Sequence, residues 1–167
     1  MRILKLQLPI APDILASLKP GDKILLSGTL YTARDVAHAR LCELIRKGQP
    51  LPIPFADSAL FYCGPSPTPP GKISGAIGPT TSARMDRYTP LLLEHGLKVM
   101  IGKGPRSAEV QAAIRSHGAL YLICVGGTSA KLTACVVSRA TFLWPELDSE
   151  AVYHLVVQDL PCYVALA

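Results

Sequence analysis

Two segments hold most of the residues able to do chemistry: Thr32-Ala33-Arg34-Asp35, and Gly78 to Asp86 with Thr80, Thr81 and Arg84 inside it. Each sets hydroxyls and an arginine at the predicted start of a helix. Backbone N–H groups there have no partner within the helix and carry partial positive charge, so such places attract anions. Two of them in one small chain point to a ligand with two negative ends, of which a dicarboxylate is the simplest. Lys103, between Gly102 and Gly104 at the end of a predicted strand, is a flexible cation aimed from a turn. It lacks the upstream glycine and following hydroxyl residue of a phosphate-binding loop, so nucleotide binding is not indicated.

The roles open to these residues differ. Thr81 and Arg84, three apart, fall on one side of a helix that starts at Thr80 or Thr81. A threonine hydroxyl can bind a carboxylate or, with its proton drawn off, act as a base. The plainer account is helix capping by threonine with a surface Arg84–Asp86 pair. Arg34 falls in a first helical turn, where a cation opposes the helix dipole. It is there either for a task or because an acid such as Asp35 pairs with it. His38 lies one turn beyond Arg34; His95, His117 and His154 form no metal-ligand pattern with it.

The elements that must position these groups follow from pattern. Ile3 to Leu8 reads as a strand, Asp13 to Leu18 as a brief helix, and Lys23 to Tyr31 as a strand. Thr32 reads as an N-cap with Asp35 as its capping-box partner. Ala37, Leu41, Leu44 and Ile45 then form the apolar stripe of a helix that Gly48 ends. A strand is expected at Ala59 to Cys63. Gly64 to Gly71, with Pro65, Pro67, Pro69 and Pro70, can hold no regular structure and reads as a stiff ordered loop rather than a linker. Further on come a strand at Lys98 to Ile101, a helix at Ser107 to His117, and a strand at Leu120 to Val125. The turn Gly126-Gly127-Thr128-Ser129 leads into a helix running to Val137, and strands are expected at Ala140 to Trp144, Tyr153 to Val157 and Tyr163 to Leu166. These imply parallel β-α-β units in the centre and extra strands at both ends.

Composition narrows the class. The 167 residues are 49% apolar and 17% charged, enough for one core in one domain. No apolar run approaches the roughly 18 residues of a membrane span, and the N-terminus does not read as a signal peptide, so a cytoplasmic protein without membrane contact is expected. The net charge of +5 is dispersed, with no basic run and no aromatic–basic interleaving, which argues against nucleic acid. Cys42, Cys63, Cys124, Cys135 and Cys162 show no CxxC and no metal spacing; they read as reduced structural thiols, and no metal site is expected in this chain.

Taken in order, Ser27-Gly28, Thr32 to Asp35 with His38, Tyr62-Cys63-Gly64-Pro65, Gly78 to Asp86, Ile101 to Gly104, and Tyr121 to Gly127 resemble the β subunit, or C-terminal domain, of class I iron–sulfur fumarate hydratases and L-tartrate dehydratases. The resemblance spans about residues 20 to 165. It implies an α/β fold of the swivelling β/β/α type, with two sheets and flanking helices, over a single domain, 1–167. It implies a hydro-lyase acting on a C4 dicarboxylate, fumarate or malate first and tartrate next. The 4Fe–4S cluster is then held by three cysteines of a partner α subunit, its open iron acting as Lewis acid, in a heterodimer or heterotetramer. Carried over by motif, Arg34, Arg84 and Lys103 bind substrate carboxylates, Thr80 and Thr81 line the site, Thr81 is the candidate for taking the carbon-bound proton, and Asp35 and Arg84 are counted with it as catalytic. Thr128-Ser129-Ala130-Lys131 and Leu147-Asp148-Ser149-Glu150-Ala151 depart from the family pattern. The competing class is a non-catalytic anion-binding or regulatory module with the same fold.

Overall fold

In the computed structural model, which describes residues 1–124 and 129–167, the apolar runs of the chain's middle become parallel strands buried on both faces. The elements in order are β1 (Ile3–Gln7), α1 (Pro12–Ser17), β2 (Lys23–Thr32), α2 (Asp35–Arg46), β3 (Ala59–Phe61), α3 (Thr89–Glu94), β4 (Val99–Gly102), α4 (Ala108–Ser116), β5 (Leu120–Ile123), α5 (Ser129–Ala134), β6 (Val136–Leu143) and β7 (Val152–Leu166). Two 3-10 helices, Ser82–Met85 and Pro145–Glu150, complete the set among the described residues.

Strands β1 to β5 run parallel, and the long β7 lies antiparallel to β2, β5 and β6. Because β7 pairs with both β2 and β5, the ladder β2–β3–β4–β5–β7 closes on itself. Alternate residues then face opposite ways, as the two-residue period of a strand demands. Ala59 and Phe61, Val99 and Ile101, Leu120 and Leu122 join one core with Leu26, Leu155 and Val164. Their neighbours Leu60, Met100 and Tyr121 join a second core with Leu41 of α2, Leu92 of α3 and Val110 and Ile114 of α4. Burial on both faces is why these strands read as continuous apolar runs rather than as alternating ones.

The α/β class and the central parallel units are as expected. The two sheets implied by the resemblance are instead one seven-stranded sheet, because β7 bridges the ladder. The strands expected at Tyr153 to Val157 and Tyr163 to Leu166 are one 15-residue strand. A bulge at Asp159 (φ 53°), whose N–H is held by Ser27 Oγ at 2.9 Å, carries the strand through the residues between them. The helix expected up to Val137 stops at Ala134, since Val136 already pairs with Val157. Helix α3 carries no expectation from sequence. The proline-rich loop is ordered: Ser66 N–H reaches Ala76 O at 2.9 Å, and Arg139 Nη1 ties Ser66 O (2.7 Å) and Ser74 Oγ (3.0 Å) to the sheet. Gly126-Gly127-Thr128 lies outside the described residues.

Candidate active site

The two opening segments meet at the C-terminal ends of β2, β3 and β4, the usual ligand-binding edge of a parallel sheet. Arg84 joins them. Its Nε donates to Asp35 Oδ1 at 3.3 Å and its Nη2 to Thr80 Oγ1 at 3.0 Å. Lys103 arrives from the end of β4: it forms an isolated parallel bridge with Thr81, and its carbonyl accepts from Ser82 N–H at 3.0 Å. Thr80 N–H is held by Tyr62 O at 2.7 Å, which ties the segment to the end of β3. Arg84, Thr81 and Lys103 are exposed; Arg34, Asp35 and Thr80 are half-buried. A cleft of about 420 Å³ runs beside them, lined by Asp35, Ala83, Arg84, Arg87 and Tyr88.

Local structure departs from expectation at both helix starts. Thr32 is the last residue of β2 rather than a cap; its hydroxyl accepts from Tyr153 N–H (3.0 Å) and lies 3.4 Å from Ala151 O. Arg34 takes the N-cap position of α2. The first-turn N–H of Val36 is met by Glu150 Oε1 at 3.3 Å, so the chain's own carboxylate caps this helix. The second start is a four-residue 3-10 helix, Ser82–Met85, with Thr81 at its N-cap position. Charge at this edge therefore comes from side chains more than from helix ends.

Close packing holds Arg34. A Cβ on residue 64 would lie 2.7 Å from Arg34 Cδ and Nη1, so a larger residue there would push this side chain from its place. Arg34 Nε is buried with no hydrogen-bond partner among the described residues. The Arg34 carbonyl accepts from His38 Nδ1 at 2.8 Å. A carbonyl only accepts, which fixes a proton on Nδ1. Burial drives the His38 pKa down to about 4, partly opposed by that bond. His38 thus packs edge-on against Tyr62 as a core residue.

Sequence reasoning missed the buried ion pair behind the site. Arg106, with a fully buried side chain, donates from Nε to Asp86 Oδ1 at 2.7 Å and from Nη2 to Thr89 Oγ1 (2.9 Å) and Tyr62 Oη (3.2 Å). Its guanidinium also lies 4.7 Å from the Tyr121 ring centroid. Asp86 Oδ2 accepts from Ser107 N–H at 2.7 Å. The pair joins the end of the Ser82–Met85 turn to the start of α4, so the expected Arg84–Asp86 surface pair does not form; Asp86 turns inward and Arg84 takes Asp35. Residues 20 apart in sequence carry no local pattern that would reveal this.

All five cysteines are free, and all but Cys135 are buried. Burial raises Cys63 to about 11 and Cys124 to about 12, so both are thiols at neutral pH. Among the described residues no three of His, Cys, Asp or Glu converge as a metal site, and no helix is long and apolar enough to cross a membrane. A larger cavity, about 840 Å³, opens at the opposite end of the sheet near Leu8, Val99 and Ala119. Its lining is mostly apolar and holds none of the candidate groups.

The family model described as Fumarase C-terminus matches residues 1–167. Similar proteins include fumarate hydratase 2 of Leishmania major, 41% identical over 148 residues, covering 87% of this chain and 26% of that protein. The anaerobic class I fumarate hydratase of Escherichia coli is 40% identical over 157 residues, covering 91% of this chain and 29% of that protein. A Methanocaldococcus jannaschii protein provisionally named L(+)-tartrate dehydratase subunit beta is 33% identical over 155 residues, covering 89% of this chain and 80% of its own. The chain thus spans under a third of those two fumarate hydratases and most of the beta-subunit relative. With its arginines, threonines and lysine gathered at one sheet edge, the chain belongs to the fumarase C-terminal family.

Proposed function

We propose that residues 1–167 act as one domain, the β part of a hydro-lyase that adds or removes water on a C4 dicarboxylate, fumarate or malate first and tartrate next. The observation that carries this reading is the convergence of Arg34–Asp35, Thr80–Arg84 and Lys103 at the ends of β2, β3 and β4. Arg34, Arg84 and Lys103 bind the two carboxylates, since guanidinium and ammonium donors form charge-assisted bonds with such groups. Asp35 aims Arg84 through its Nε, leaving the rest of the guanidinium for substrate and Thr80.

Proton transfer falls to a threonine. An ordinary threonine hydroxyl is far too weak an acid to serve as base, and an adjacent cation favours its deprotonated form. Sequence pattern favours Thr81, but the hydroxyl that Arg84 touches is that of Thr80. We therefore place Thr80 first and keep Thr81, exposed beside Lys103, as a lining group. In this reading a 4Fe–4S cluster is held by a partner α subunit. Such a group contributes Lewis-acid polarisation of the substrate hydroxyl and carboxylate. The swivelling β/β/α assignment accompanies this reading, the closed sheet covering the partner's site as one body in a cytoplasmic heteromer.

The test is anaerobic co-expression with a three-cysteine partner, followed by assay of the purified complex on fumarate, malate and tartrate. Water addition or loss on one of them is expected. A brown, cluster-loaded complex inert toward all C4 diacids overturns the reading.

A further inference from the structure

Tyr121 sits on β5 with its ring in the helix-side core and its hydroxyl at the back of the candidate site. Its Oη is 2.7 Å from Ser82 Oγ and 2.7 Å from Gly104 O. Every proton in this cluster can be assigned. The Gly104 carbonyl only accepts, so it takes the Tyr121 proton. Ser82 must then donate its own proton to Tyr121 Oη, which leaves Ser82 Oγ to accept from Lys103 N–H at 3.1 Å. The result is a one-way chain: Lys103 N–H to Ser82 hydroxyl, to Tyr121 hydroxyl, to Gly104 carbonyl. It starts and ends on the loop that carries Lys103, and passes through Ser82 on the turn that carries Arg84 and through Tyr121 on β5.

We propose that Tyr121 is a positioning residue of the site, its hydroxyl setting the spacing between the Arg84 turn and Lys103. The inference rests on the carboxylate-binding reading above. Packing alone does not call for the hydroxyl, since a phenylalanine ring would fill the same core volume. Both partners of the hydroxyl belong to segments bearing substrate-binding candidates. Close approach is built in as well: a Cβ on residue 102 would clash with Ser82 Oγ and with the Tyr62 ring, which favours glycine there. Burial raises the phenol to about 12, so the chain keeps its proton, and hence its direction, at any ordinary pH.

The test uses Tyr121→Phe in the full chain and in the assembled complex. Hydrogen exchange at the Lys103 amide should quicken about tenfold while amides within β4 and β5 keep their protection. In the complex, KM for the diacid should rise about tenfold with kcat changed much less, because the lysine's binding contribution is lost. Against Lys103→Ala the effects should be non-additive, the double variant binding no worse than Lys103→Ala alone. Ser82→Ala, which breaks the same chain from the other side, should reproduce the pattern if Tyr121→Phe folds poorly. Unchanged exchange at Lys103 in a folded variant, or multiplicative effects in the double variant, overturns the proposal. A wild-type complex inert on every diacid overturns the hydro-lyase reading instead, and the exchange readout still decides whether the tyrosine holds the loop.

Discussion

Arg84 and His38 show how differently two polar residues near one site behave. Arg84 is exposed, and its contact with Asp35 is a surface ion pair, worth little to stability. Arg84→Ala should therefore melt within a degree or two of the parent, about 0.5 kcal/mol or less in stability. Turnover by the complex should fall about 100-fold or more, because the cation is needed where substrate charge is held. Near-full activity would remove Arg84 from the site. His38 is the reverse case, a buried ring whose folded pKa of about 4 lies below its ordinary 6.5, mainly from burial, with Arg106 acting the same way and Asp35 opposing. Between those values the unfolded chain binds more protons than the folded one, so stability rises with pH across the window. It should be complete above about pH 6.5 and decline by about 3 kcal/mol as pH falls toward 4. Urea titrations across this range should show His38→Gln with a flatter profile than the parent; parallel profiles would mean the ring does not titrate as described.

At the scale of elements, the site depends on three connections between strand ends. The Asp86–Arg106 pair holds the Ser82–Met85 turn against the start of α4. Removing one member of a buried pair leaves the other charge without compensation, which costs more than the pair itself contributes. Arg106→Ala should destabilise the chain by about 3–5 kcal/mol in denaturant titration. A change below about 1 kcal/mol would show that solvent reaches Asp86 and replaces the arginine. Helix α2 makes a related point. Its N-terminus, expected to receive a ligand anion, is met by Glu150 from the segment that departs from the family pattern. In the proposed reading the charge offered to the substrate consequently rests on Arg34, Arg84 and Lys103. Arg34 packs against Gly64, Arg84 is held by the Asp35 contact, and the backbone of Lys103 is fixed by its bridge to Thr81.

For the whole molecule, the closed ladder brings residues from three separate strand ends to one edge, and the ligand should reflect that. If both carboxylates are held by separate cations, replacing one carboxylate of the diacid by its neutral amide should weaken binding to the complex about tenfold or more. Equal affinity for the monoamide would mean that only one end is recognised by charge. Most of the fold was readable because strand and helix periods are local: β1, β2, α2, β4 and α4 stand within a residue or two of their expected places. Local pattern also singled out Arg34, Arg84, Lys103 and the threonines, since glycines, hydroxyls and cations at strand ends are conspicuous in one dimension. Pairing decided the rest. Which acid Arg84 takes, where Asp86 turns, and that two predicted strands are one β7 closing the sheet all depend on contacts between distant residues. Such contacts leave no periodic trace, because a hydrogen bond or ion pair across 20 to 120 residues is set by where the strands lie rather than by neighbouring side chains. The sequence by itself determined most of the elements and the chemical stock of the site; the tertiary structure alone decided which atoms face one another.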